Sequence, residues 1–267
     1  MHQVFDAAEA ADEVSPINES GRLVLAGLRA GALREDGPAA AVVDLRDGTI
    51  MLAVHPEHRR LGHGTRLLRT LLDDYPGLRV WAFGSLPGSA ELAAAVGLSP
   101  VRDLLRMERP LDDTLPPVPD TVAIGSFREE DADQIVAINA AAFAHHPEQG
   151  RLTRAEFDDL RRQPWFSPEG LLVARAEGEV AGFHWTKRHG PATGEEPIGE
   201  VYVLAVDPRH EGRGLGRALL AAGLRHLRDV GETRVELFVE ASPERTVELY
   251  RRAGFVVTTH DTCYGRP

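Results

Sequence analysis

Val54-His55-Pro56-Glu57-His58-Arg59-Arg60-Leu61-Gly62-His63-Gly64 recurs 152 residues downstream as Val206-Asp207-Pro208-Arg209-His210-Glu211-Gly212-Arg213-Gly214-Leu215-Gly216. Self-similarity on this scale marks a duplicated structural unit, and the rest of the chain is read around it. Both copies run on into apolar helical sequence. Farther along, Arg79-Val80 matches Arg234-Val235 and Val96-Gly97-Leu98 matches Ala253-Gly254-Phe255, the offset growing through short insertions. Between the copies, Arg109-Pro110-Leu111-Asp112-Asp113-Thr114-Leu115-Pro116-Pro117-Val118-Pro119-Asp120 collects prolines and acids that resist both helix and ladder formation. The expected organisation is a domain over 1–108, a linker over 109–120 and a domain over 121–267.

In the second domain, Val122–Phe127 reads as a strand and Asp131–Phe143 as a helix. Thr153-Arg154-Ala155-Glu156 has the spacing of a capping box. Leu171–Ala176 and Val180–Trp185 form a predicted hairpin around Glu177-Gly178-Glu179. Glu200–Val206 is the strongest strand pattern of the chain. A helix over about 214–230, a strand over 235–239, a helix over about 243–252 and a final strand pair complete the pattern. Alternating strands and helices predict an α/β fold, with α+β character, in which each unit is a mixed sheet flanked by helices.

The chain of 267 residues, 29.1 kDa, suits two compact domains as well as one large one. Its formal charge of −11 disfavours a nucleic-acid partner, because a phosphate backbone would be repelled. The single cysteine, Cys263, has no internal disulfide partner, and no Cys/His spacing suggests a structural metal, so none is expected. No uncharged run approaches the roughly 20 residues of a membrane span, and no leader pattern opens the chain. A globular cytoplasmic enzyme, expected as a monomer, is the default reading.

Gly212, Gly214 and Gly216 fall between a strong strand and a helix start. There, backbone approach is unhindered, and open N–H groups with the helix dipole favour an anion. Arg213 and Arg217 add positive charge. A plain strand-to-helix turn and a dinucleotide loop are the competing readings, the second lacking an opening βαβ unit and a ribose-binding acid.

Together with Leu249-Tyr250-Arg251-Arg252-Ala253-Gly254-Phe255, the V-x-P-x-x-x-G-x-G-x-G run resembles the GNAT acetyltransferase superfamily. The resemblance implies an acetyl-CoA cosubstrate held by Leu204, Ala205, Val206, Glu211, Gly212, Arg213, Gly214, Leu215, Gly216 and Arg217. Glu211 stands where the family usually has Gln or Arg. The first unit's matching stretch, Leu52, Ala53, Val54, Arg60, Leu61, Gly62, His63, Gly64 and Thr65, is a second candidate for coenzyme A. By the same resemblance Glu200 is the general base and Tyr250 the general acid. Position 200 corresponds to Gly48 and position 250 to Ala93, so the first unit lacks both proton groups and is expected not to catalyse transfer.

Further segments resemble the mycothiol synthases, tandem members of that superfamily that acetylate the cysteine amine of Cys-GlcN-Ins. They are Asn139–Phe143 leading to His146–Gly150, Gly182–Lys187, Gly199–Leu204 and Asp261–Tyr264. The resemblance implies substrate contacts from Glu19, Glu148, Lys187, Glu200 and Phe238. Carboxylates and a lysine suit a hydroxyl-rich acceptor. Phe238 stands where the family commonly has Tyr, and Pro243 where it has Asn. Another acceptor amine (an antibiotic or a protein N-terminus) and a noncatalytic coenzyme A sensor are the alternatives. His184 and Trp185 also read as packing residues, and Cys263 has no base partner for a covalent route.

Overall fold

The computed structural model describes residues 1–119, 122–144, 149–189 and 198–266. In chain order its elements are α1 (His2–Asp12), α2 (Glu19–Leu25), β1 (Gly31–Asp36), β2 (Ala39–Asp44), β3 (Thr49–Val54), α3 (His63–Asp74), β4 (Arg79–Ala82), α4 (Ser89–Ala95) and β5 (Ser99–Pro110). Then follow β6 (Ala123–Ser126), α5 (Ala132–Ala142), α6 (Arg154–Leu160), β7 (Leu171–Ala176), β8 (Glu179–His189), β9 (Ile198–Val206), α7 (Leu215–Asp229), β10 (Arg234–Glu240), α8 (Glu244–Arg252) and β11 (Val256–Gly265). No described helix is long and apolar enough to cross a membrane.

Two compact units result. One comprises Met1–Arg106, Glu240–Pro243 and Thr258–Pro267; the other comprises Met107–Val239 and Glu244–Val257. A division at 109–120 alone differs from this in two ways. The expected final strand pair is a single strand, β11, whose Thr262, Cys263 and Tyr264 pair with Ala82, Trp81 and Val80 of β4. That pairing closes a strand edge that would otherwise expose its backbone groups, and it draws the end of the chain into the first unit. The stretch expected as a linker also begins as built structure. Arg109 and Pro110 end β5, the buried Arg109 guanidinium donates to the carbonyls of Pro110 and Ala253, and the Leu111 N–H donates to the Thr233 carbonyl at 2.8 Å.

In the first unit the strand order is β1-β2-β3-β4-β11, with β3–β4 parallel and the other pairs antiparallel. Every residue of β2 is buried, because its alternating side chains have a partner layer on each face. Ala39, Ala41 and Val43 pack with Leu67, Leu68 and Leu71 of α3. Ala40 and Val42 pack with Val4, Phe5 and Ala8 of α1 and Val24 of α2.

The second unit repeats the plan in the order β10-β9-β8-β7-β6, again with one parallel pair, β9–β10. The β7–β8 turn has Glu177 at φ 54° and Gly178 at φ 89°, the left-handed pair that matches hairpin twist. The Thr153–Glu156 capping box is present, with the Thr153 hydroxyl accepting from the Glu156 N–H. One face of this sheet meets Ile135, Ile138 and Phe157 through Val173, Phe183 and Trp185. Along α7, Leu220, Leu224 and Leu227 are buried at helical spacing.

Candidate active site

β8 and β9 are antiparallel, and their register slips between Trp185 and Thr186: Trp185 faces Val203, but Thr186 faces Val201. Tyr202 is therefore an extra residue, a β-bulge. A bulge matters here because side chains alternate, so one inserted residue moves all that precede it to the other face. As a result Glu200 lies opposite Lys187, on the same face as Trp185, Val203 and Ala205. Without the insertion it would point the other way.

On that face four charged groups converge. His189 Nε2 lies 2.8 Å from Glu200 Oε2 and 3.6 Å from Glu236 Oε1, and Lys187 Nζ lies 3.9 Å from Glu200 Oε2. Glu236 is in register with Glu200 across the parallel β9–β10 pair, and both are buried. Neighbouring carboxylates on adjacent strands repel, so the two cationic side chains answer a definite electrostatic need. The hydrogen bond to Glu200 raises the His189 imidazole above its ordinary range, against the opposing effect of burial. Lys187 is steered by aromatic faces as well, its ammonium 5.4 Å from the Trp165 ring centre and 5.3 Å from that of Tyr202.

Tyr250 sits on α8, buried, with its ring edge-on to Phe255 at 5.8 Å. Burial pushes its phenol above the ordinary range, so the hydroxyl keeps its proton. Phe238 follows Glu236 by two residues on β10, hence on the same face, and is 49% exposed. Glu200, Lys187 and Phe238 are thus brought to one face of one sheet. Glu19 is an exposed residue in the first turn of α2, in the other unit, and Glu148 lies outside the described residues. Sequence reading missed His189, Glu236, Trp165 and Tyr202. The Lys187–His189 spacing of two in a strand was the available signal for one of them.

The glycine loops are built alike in both units. After a short 3₁₀ turn, Gly212 (φ 76°) and Gly214 (φ 80°) take left-handed conformations, Gly214 starting α7. A Cβ on Gly212 would meet nothing, so its need is for the backbone angle. Helix α7 consequently presents its first N–H groups outward, beside the exposed Arg213 and Arg217, while Glu211 also faces solvent. The parallel ladder between β9 and β10 pairs only Gly199 and Glu200 with Val235 and Glu236, so Val201–Val206 run on beyond it. In the first unit Gly62 (φ 84°) starts α3, and the ladder with β4 ends at Met51. A cleft of about 470 Å³ opens there, lined by Val54, Arg60, Gly62, Gly64, Trp81 and Leu92 among others. Leu61 is instead exposed, and Arg59 is committed to Asp12 through two 2.7 Å hydrogen bonds.

A family model described as the acetyltransferase (GNAT) family matches residues 17–93 and 136–255, one match in each copy of the repeat. A mycothiol acetyltransferase of Propionibacterium freudenreichii is 45% identical over 265 residues, covering 95% of this chain and 83% of that protein. The Thermomonospora curvata mycothiol acetyltransferase is 44% identical over 283 residues, covering 100% of this chain and 94% of the relative. The chain belongs to the mycothiol acetyltransferase family. It is an acetyl-transferring enzyme of tandem GNAT architecture. Solved structures agree on the fold: a GCN5-related N-acetyltransferase from Sphaerobacter thermophilus superposes with a TM-score of 0.69 at 23% identity, over 98% of this chain and 90% of that one. A tandem GNAT protein from the clavulanic acid biosynthesis pathway gives 0.64 at 20% identity, over 98% and 93%.

Within this mycothiol acetyltransferase family member, the extra Tyr202 sets Glu200 against Thr49 and not against Gly48, whereas Tyr250 and Ala93 occupy equivalent places. The Phe255 N–H donates to the Tyr250 carbonyl at 3.1 Å, and the Leu98 N–H donates to that of Ala93 at 2.9 Å. Each helix thus ends in the same reverse hydrogen bond over a left-handed glycine, Gly254 or Gly97. Ala93 is the structural counterpart of Tyr250, without the hydroxyl.

Proposed function

We propose that this enzyme transfers acetyl from acetyl-CoA to the cysteine amine of Cys-GlcN-Ins, giving mycothiol and coenzyme A. The observation that carries the reading is the buried Glu200, flanked by Lys187 and His189, where the β9–β10 ladder stops. Beyond that point Leu204–Val206 offer backbone groups to the pantetheine arm, added as a further strand would be. The amides at the start of α7, with Arg213 and Arg217, suit the pyrophosphate. Glu200 takes a proton from the acceptor nitrogen, the nitrogen attacks the acetyl carbonyl, and the carbon–sulfur bond breaks. Tyr250 then gives its proton to the coenzyme A thiolate. Lys187 and Phe238, on the face of Glu200, contact the acceptor in this reading, and Glu19 and Glu148 are carried over from the family resemblance alone.

The first unit has the loop and the cleft but neither proton group, so its role is to hold coenzyme A without turning it over. The formal charge of −11 weighs against a nucleic-acid partner, and a cytoplasmic monomer completes this reading.

The test is incubation of the full chain with acetyl-CoA and Cys-GlcN-Ins beside a panel of other amines, following acetyl-CoA loss and product mass. Acetylation of Cys-GlcN-Ins in preference to the panel is expected. Turnover with a different amine alone would keep the chemistry and reject this acceptor.

A further inference from the structure

The function assigned above uses Glu200 and Lys187 but leaves His189 and Glu236 without a task, although both belong to the same cluster. Glu200 and Glu236 are a buried, registered pair of carboxylates on neighbouring parallel strands. Strand spacing puts such side chains about 5 Å apart, close enough that ionising both is costly without a cation between them. The imidazole of His189 occupies that place, within 2.8 Å of one carboxylate and 3.6 Å of the other. It reaches them because β8 carries Lys187 and His189 on one face, and the Tyr202 bulge turns Glu200 toward it.

We propose that His189 is a positioning residue for acetyl transfer, anchoring Glu200 through Oε2 so that Oε1 receives the amine proton, and balancing Glu200 against Glu236. This rests on Glu200 being the base. His189 and Lys187 both approach the same oxygen, Oε2, which directs the proton to the other. The proton leaving the acceptor nitrogen forms an O–H bond at Oε1, and His189 itself neither gains nor loses one in that step. The raised imidazole is consistent with a cation held by carboxylates.

The charged groups facing His189 are Glu200 from β9, Glu236 from β10 and Lys187 from its own strand. Arg188, on the opposite face of β8, is paired with Glu232 instead. Removing the imidazole takes one cation away from the two registered carboxylates. Their mutual repulsion is then less compensated, which weighs against the charged form of the cluster.

The experiment measures kcat, KM and the pH profile of kcat/KM with acetyl-CoA and Cys-GlcN-Ins for the intact enzyme, His189→Gln, Glu236→Gln and the double variant. His189→Gln should lower kcat about tenfold, leave KM for acetyl-CoA within about twofold, and move the acid limb up by about one pH unit. Adding Glu236→Gln to it should bring the limb back, because the repelling partner is gone. A His189→Gln profile that superimposes on the wild-type curve after uniform scaling, or wild-type kcat, would overturn the proposal. If His189→Gln fails to fold, Glu236→Gln alone decides: the limb must move down, and an unmoved limb defeats the assignment. Glu200→Gln separates the two layers. An active Glu200→Gln defeats the base assignment itself, whereas an inactive one beside an unaltered His189→Gln defeats only the role of His189.

Discussion

β3 and β9 are the same strand of the duplicated fold, and they differ by one inserted residue and by where they begin. β3 pairs with β2 from Val54 to Thr49 without a slip, so with the extra Tyr202 discounted the ladder counterpart of Glu200 is Thr49, opposite Asp44 as Glu200 is opposite Lys187, while Gly48 lies before the strand at φ 65°. β9 begins earlier, at Ile198, and carries the Tyr202 bulge. The position is ladder backbone in both units, with a threonine in the first where the second has Glu200. The first unit thus differs at this place by its side chain, Thr49, and by a shorter, unbulged strand. The largest expected effect tests this directly. Glu200→Gln should reduce kcat by about a hundredfold or more, the usual scale of proton transfer by a positioned group, with an unchanged melting temperature. Gly48→Glu should bring no activity to a Glu200→Gln enzyme, because its side chain would leave from a turn. Recovery of turnover in that double variant would break the contrast.

The same two units solve one packing problem in opposite ways. In the first, Ala41 faces Leu52 and packs with Leu71 of α3, a small strand residue under a large helical one. In the second, His184 faces Leu204 and lies under Gly223 of α7, where a Cβ on the glycine would overlap the imidazole. The ring is fully buried and its Nδ1 lies 2.9 Å from the Leu219 carbonyl. Gly223→Ala should destabilise by about 3 kcal/mol, the upper scale for overpacking. His184→Ala combined with Gly223→Leu recreates the first unit's arrangement and should recover part of that loss. A pH arm follows from the same burial, which lowers the imidazole from 6.5 to about 4. The unfolded chain takes up this proton first, so the contribution of His184 is intact above about pH 6.5 and is lost as pH falls toward 4. It amounts to about 3 kcal/mol, and denaturant titrations of wild type and a folded His184→Asn variant between those pH values would show whether their difference narrows.

The repeat made the two-unit plan legible, because glycines that need particular backbone angles hold their spacing through divergence elsewhere. Short apolar strand runs bounded by turn residues were equally readable, as at Leu171–Ala176, found with the same bounds. The path of the last strand was not, since Thr262–Tyr264 joining β4 depends on a partner far away in sequence. Nor was the Tyr202 bulge, which is a relation between two strands and leaves no mark in one. His189 and Glu236 were overlooked for that reason: a histidine and a glutamate in strands look ordinary until the register places them beside Glu200.

The smallest effect lies in the glycine loops, where the copies differ at one backbone position. Gly212 at φ 76° corresponds to Arg60 at φ 62°, a left-handed angle that a residue with a Cβ adopts at a cost of roughly 1 kcal/mol. Arg60 tolerates this angle while its guanidinium reaches Gly88 at the start of α4, across the cleft it helps to line. Strain retained at a cleft suggests a ligand for the side chain, and the chemistry that fits a guanidinium there is a phosphate of coenzyme A. Arg60→Gly should leave stability within about 1 kcal/mol, because relief of the angle is offset by greater freedom of the unfolded chain. It should nevertheless weaken coenzyme A binding to the first unit, measured by calorimetry in a Gly214→Asp background that blocks the second loop. Unchanged affinity in that background would mean that the first loop keeps its arginine for a reason other than phosphate. The two loops would then share a backbone path without sharing a ligand.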